Sequence, residues 1–139
     1  MKMTTPIKLI AIALATTFGL AVASAADTAQ LPPASTKTGV TYATDIKPIF
    51  EQSCVKCHSG NKPKAKLKLD SLENALKGGR DGKVVTVGDS TNSFIVKCVA
   101  HTTADHDLWM PPHFNRVNTK SLTPEQISLI RAWIDQGAK

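Results

Sequence analysis

Several things are missing from this chain, and each absence narrows its class. No convincing alternating strand is found anywhere in the chain, so the expected fold class is all-α. No internal repeat is visible, which argues against a solenoid. After the first residues there is no second long apolar run, so the remainder should not span a membrane. Charge of one sign is not concentrated either. Beyond residue 25 there are fifteen Lys and Arg against eleven Asp and Glu, a net of +4. That is mild basicity, not the footprint of a nucleic-acid binder. Cysteine is sparse, with three in all, and beyond the first residues the only methionine is Met110.

The N-terminus reads as a secretory leader. Lys2 and Lys8 make a basic start, and an apolar run from Leu9 to Val22 follows, short for a comfortable span. Ala23-Ser24-Ala25 then offers a small-residue cleavage site, so the mature chain is expected to start at Ala26 in the periplasm. The competing reading is an uncleaved anchor, which Thr16, Thr17 and the small terminal residues disfavour. The next segment carries Pro32, Pro33 and many Thr and Ser, and reads as a flexible linker over 26–41. One small domain over 42–139 remains.

Four helical segments are expected in it. The first runs from about Thr44 into Cys54, with Ile46, Ile49, Phe50 and Cys54 on one face. Thr41 or Thr44 would cap it, and Pro48, tolerable only in a first turn, suggests a slightly later start. Asp70-Ser71-Leu72-Glu73 resembles a capping box with Asp70 as acceptor, before Leu72, Ala75 and Leu76. Val84 to Val87 reads as extended. A short helix opening at Ser90–Asn92 would turn Phe94, Ile95, Cys98 and Val99 inward. The last helix is clearest: Thr123 at the N-cap, Pro124 first, Gln126 as capping partner, then the stripe Ile127, Ile130, Trp133, Ile134 and the terminator Gly137.

The chemistry is carried by Cys54-Val55-Lys56-Cys57-His58. A Cys-x-x-Cys alone is ambiguous between redox dithiol, zinc and haem. The histidine directly after it, in an exported chain, points to one covalently attached haem c. Each thiol S–H adds across one haem vinyl group to form a thioether, and one helical turn spaces the two sulfurs to match the vinyls. His58 would then be the proximal iron ligand. Such a group would also add a large apolar body to a small core. Pro63 is a candidate for the carbonyl that orients the His58 ring.

For the sixth iron position the sequence offers Met110, in Trp109-Met110-Pro111-Pro112, where two prolines stiffen the backbone just beyond the sulfur. The plain alternative is a core methionine. His101, His106 and His113 compete as ligands, but read better as surface or neighbouring histidines. Cys98 is left over. It reads as a small buried apolar residue, against an intermolecular disulfide or a reactive thiol. Cys54, Cys57, Cys98 and His101 could together make a zinc site, though His58 would then be coincidence. Lys62, Lys64, Lys66 and Lys68 alternate just after the haem motif. They read either as a docking face for acidic redox partners or as a solvated loop.

From Tyr42 to Lys139 the chain resembles the planctomycete-type cytochrome c domain, a class I-like monohaem module. The likeness rests on Asp45-Ile46-Lys47-Pro48-Ile49-Phe50, Cys54–His58, Lys66–Asp70, Ala75–Gly79, Val87–Ser90, Met110-Pro111-Pro112, Leu122–Glu125 and Trp133–Ala138. The resemblance implies that Met110 is the distal ligand and that the first and last helices pack beside the haem. The chain departs from the pattern at Lys97-Cys98, where a basic pair is expected, and in an expanded histidine-bearing stretch from His101 to Leu108. The expectation is a periplasmic electron carrier, not an enzyme, working with redox partner proteins. The alternatives are a haem-based sensor that binds a small ligand, or a permanent haem subunit of an oxidoreductase complex.

Overall fold

The computed structural model describes residues 30–139. The leader, including its cleavage site, lies outside the described residues. Among the described residues there are four α-helices and no strand, only an isolated bridge between Gly79 and Gly82. The all-α class therefore holds, and no described helix is long and apolar enough to cross a membrane.

The first helix begins earlier than its proline suggests. A π-helical turn over Tyr42–Ile46 runs directly into α1, Lys47–Ser53. Thr41 caps it, accepting from the Thr44 N–H. The Lys47 N–H reaches back five residues to the Tyr42 carbonyl. Pro48 has no N–H to give, and its ring would crowd the carbonyl four residues back. A wider turn just before it relieves that crowding.

α2 spans Leu72–Lys77. Its cap is Ser71, not Asp70: the Ser71 hydroxyl accepts from the Asn74 N–H at 3.2 Å. Asp70 instead accepts from the Asn74 side chain at 2.7 Å. The helix ends at Gly78, where φ is +86° and a Cβ would lie 2.3 Å from the Gly82 carbonyl oxygen, so only glycine fits.

α3 spans Phe94–Val99 and buries Ile95, Val96, Cys98 and Val99. Phe94, expected inward, is exposed at the first position of the helix, and Val96 is buried. Val84 to Val87 forms no ladder. The Val84 carbonyl accepts from the Ile95 N–H at 2.9 Å, and the buried Ser93 hydroxyl accepts from the Thr86 N–H at 2.9 Å.

α4 spans Pro124–Asp135 and follows its sequence closely. Both halves of the Thr123–Gln126 capping box are made, and Ile127, Ile130, Trp133 and Ile134 are all buried. Trp133 is the hub. Its ring meets Phe50 edge-on at 6.4 Å and Tyr42 at 6.0 Å, and Tyr42 meets Phe50 at 6.1 Å. The first and last helices thus cross on aromatic contacts inside one aliphatic core.

The segment read as a flexible linker is, over its described part, laid along α4. The Ser35 N–H donates to the Ser128 carbonyl at 2.9 Å, and Arg131 donates to the Pro32 carbonyl. Gln136 takes both ends of a two-point contact, donating to the Lys37 carbonyl at 2.7 Å and accepting from the Val40 N–H at 3.2 Å. Val40 is buried. The segment is held by hydrogen bonds between its backbone and Ser128, Arg131 and Gln136, so it needs no apolar pattern of its own.

Candidate haem site

The Cys54–His58 segment continues α1 by one turn. The Cys54 and Val55 N–H groups both donate to the Phe50 carbonyl, and the His58 N–H donates to the Cys54 carbonyl at 2.9 Å. Cys54, Cys57 and His58 are therefore presented from one turn anchored by buried Phe50. Beyond it, the Lys64 N–H donates to the Cys57 carbonyl (3.0 Å) and the Leu69 N–H to the His58 carbonyl (2.8 Å). Tyr42 adds a third tie, its hydroxyl donating to the Leu69 carbonyl at 2.9 Å. Burial, with the carboxylates Asp70 and Glu51 and the Cys54 thiol nearby, pushes the Tyr42 pKa up to about 12.

All three cysteines are free thiols. Cys54 is buried and Cys57 half-buried. Burial, with the Cys57 thiol adding to it, pushes the Cys54 pKa up to about 12. His58 is buried too, and its Nδ1 is a buried polar atom with no hydrogen-bond partner. Burial lowers its pKa, and the backbone of Leu67 and Lys64 opposes that shift. An imidazole kept neutral is what a metal ligand requires. The Pro63 carbonyl does not serve the ring; it accepts from the Lys66 N–H at 3.0 Å.

The zinc alternative fails on geometry. Among the described residues no group of three or more His, Cys, Asp or Glu side chains gathers closely enough to hold a metal ion. Cys54, Cys57, Cys98 and His101 are not brought together as chelators. Two free thiols on one turn beside a buried imidazole suit a haem, which takes each thiol at a different vinyl group. The residues present fit that group.

Met110 is half-buried and packs against the edge of the core. Its N–H donates to the Cys98 carbonyl at 3.0 Å, and its own carbonyl lies 3.3 Å from His101 Nε2. His101, His106 and His113 all meet the ring of Trp109, with centroids 4.9, 4.0 and 5.7 Å away. Read one at a time these histidines look like surface residues; together they surround one tryptophan. The signal was their density around one tryptophan. Burial lowers the His101 pKa, the Met110 backbone opposes it, and His113 adds to the lowering. Cys98 is buried on α3, as expected for a small apolar residue, and burial raises its thiol pKa to about 11.

Lys62, Lys64 and Lys66 are exposed and Lys68 is half-buried. Lys64–Lys66 is a 3₁₀ turn in which Ala65 and Lys66 both have positive φ, 51° and 55°. Lys66, Lys68 and Lys77 share a shallow cavity of about 140 Å³ with Asn74 and Gly78.

The family model described as Planctomycete cytochrome C matches residues 54–113. The match opens on Cys54 and closes on His113, so it takes in the haem motif, α2, α3 and Met110. The resemblance read from the sequence reaches further, over Tyr42 to Lys139; the first helix and α4 lie outside the matched segment. A family of cytochromes c supports a haem cofactor. No curated protein and no solved structure matches the chain.

Proposed function

We propose that this chain, of the planctomycete cytochrome c family across residues 54–113, is a periplasmic monohaem c-type cytochrome that carries single electrons between redox proteins. The observation that carries the reading is the Cys54–His58 turn, which offers two free thiols and a buried imidazole from one anchored segment. When bound, the haem iron would supply the one-electron Fe(III)/Fe(II) couple. Cys54 and Cys57 would hold it by two thioethers, each formed by adding S–H across a vinyl C=C. His58 would be the proximal ligand and Met110 the distal one. A neutral, soft thioether favours the reduced iron and keeps the potential above that of a bis-histidine site.

Lys62, Lys64 and Lys66 support an acidic partner. They are exposed on the stretch that the Cys57 and His58 carbonyls tie to the haem motif, so a partner drawn to them would sit near the cofactor. Export follows from the leader read in the sequence, and the mature N-terminus should be Ala26.

Denatured holoprotein should keep its colour through acid-acetone extraction, and its reduced pyridine adduct should show a two-thioether spectrum. A colourless pellet would overturn the assignment. In the oxidised protein a near-infrared sulfur-to-iron charge-transfer band should be present, and Met110→His should keep the haem, abolish the band and lower the potential. Met110→Ala should open the iron to cyanide or carbon monoxide, with His113→Ala added so that His113 does not substitute. If Met110→Ala leaves the oxidised spectrum and the ligand-binding rates unchanged, the haem-sensor reading is the better account.

A further inference from the structure

The stretch from Ala100 to Trp109 contains no α-helix, yet Met110 at its end is fixed through both of its backbone polar groups. The Cys98 carbonyl accepts from the Met110 N–H at 3.0 Å and also from the His101 N–H at 3.2 Å. The Met110 carbonyl can only accept, so His101 Nε2, 3.3 Å away, carries the proton and donates. His101 is itself held in an uncommon backbone conformation, φ +56°, which a side-chain-bearing residue keeps only where its surroundings over-determine it.

What determines it is visible. The His101 ring lies flat on the Trp109 indole, with centroids 4.9 Å apart and planes within 1°. Trp109 is in turn tied by its Nε1, which donates to the Thr103 carbonyl at 3.2 Å, and by the His106 ring at 4.0 Å. Cys98, His101, Thr103 and His106 lie where the sequence departs from the pattern it resembles, and Trp109 follows directly.

We propose that His101 and Trp109 are positioning residues for Met110. Their stack, closed by the Nε2–carbonyl hydrogen bond, fixes the Met110 backbone so that its thioether is presented at one place. This rests on the reading of Met110 as the distal ligand. A neutral thioether competes with outside ligands chiefly through its high effective concentration at the iron, and that concentration falls when its backbone is loosened.

The test uses the oxidised holoprotein and imidazole as probe. His101→Ala should weaken the sulfur-to-iron band and raise imidazole affinity about three- to tenfold, the worth of one net hydrogen bond. His101→Gln should restore most of both, because its amide nitrogen reaches about as far as Nε2. His101→Asn, with a shorter reach, should not. Trp109→Phe keeps a ring for the stack and should change affinity less than Trp109→Ala. Thermal melts run in parallel separate positioning from folding. A lowered melting temperature with unchanged imidazole affinity in His101→Ala overturns the proposal, and so does equal behaviour of His101→Gln and His101→Asn. A wild type without the band, indifferent to Met110→Ala, defeats the ligand reading itself. A wild type that shows the band while His101→Ala matches it in band and affinity defeats only the clamp.

Discussion

His58 sits one turn past a helix whose Phe50 meets Trp133 of α4, whereas Met110 closes a stretch with no α-helix, held by ring stacking and side-chain-to-backbone hydrogen bonds. The two sides of the site are therefore stabilised by different physics. On the His58 side, apolar burial fixes the backbone, and the proposed ligand inherits its position from the core. On the Met110 side, little apolar surface is buried between Ala100 and Trp109, and position depends on a few polar contacts that each contribute modestly. A ligand of the first kind should be lost only when the domain unfolds. One of the second kind should detach while the domain stays folded.

The largest effect should come from the hub of the His58 side. Trp133 is fully buried against Phe50 and Tyr42, and truncating such an aromatic costs about 3–5 kcal/mol. That is a large share of a small domain's stability. Trp133→Ala should therefore lose most of the holoprotein yield or shift the denaturant midpoint far down at unchanged slope. Trp109→Ala, at a half-exposed ring, should cost well under half as much stability while disturbing the iron spectrum more. Equal losses in the two variants would break the distinction between the sides.

The same contrast explains what could be read in advance. The stripe Ile127, Ile130, Trp133, Ile134 and the cap Thr123 are periodic and local, and both appear as expected. The Cys54–His58 spacing is likewise local. Phe94 opens α3, and at about 3.6 residues per turn the buried arc of Ile95, Val96, Cys98 and Val99 leaves it at the edge. The segment before Thr41 was misread because what holds it is Gln136, Arg131 and the Ser128 carbonyl, some hundred residues on along the chain. The histidine cluster shows in the sequence only as a density of histidines around Trp109, for a related reason. A left-handed His101 and a ring stack leave no period in a sequence.

A smaller change tests whether α4 needs its local signals once the core is in place. Thr123 accepts from the Gln126 N–H, and the Gln126 side chain accepts from the Thr123 N–H at 2.9 Å. Thr123→Ala removes one half of this pair and should cost about 1 kcal/mol in denaturant unfolding. It should leave the iron spectrum alone, because the cap acts on the His58 side's scaffold and not on the Met110 clamp. A spectral change without a stability change would mean that the two sides are coupled through α4.

The smallest effect concerns the edge of the scaffold, and it depends on pH. Asp45 accepts hydrogen bonds from the Lys37 ammonium, from the Thr41 N–H at 2.9 Å and from the Thr44 hydroxyl at 2.7 Å. Lys37 contributes most, then Thr41 and Thr44, and together they hold the Asp45 pKa down to about 2 from an ordinary 3.8. A carboxylate with a depressed folded pKa stabilises the folded state only while ionised. Its contribution is complete above the ordinary value and disappears as pH falls through about 4 towards 2. The melting temperature of Asp45→Asn should thus trail wild type near neutrality, with the gap closing over that interval. Lys37 is exposed, so salt should also narrow the gap. A gap that persists undiminished at pH 2 would mean that Asp45 stabilises by its shape or its neutral hydrogen bonds, and that the docked segment carrying Lys37 is held without help from charge.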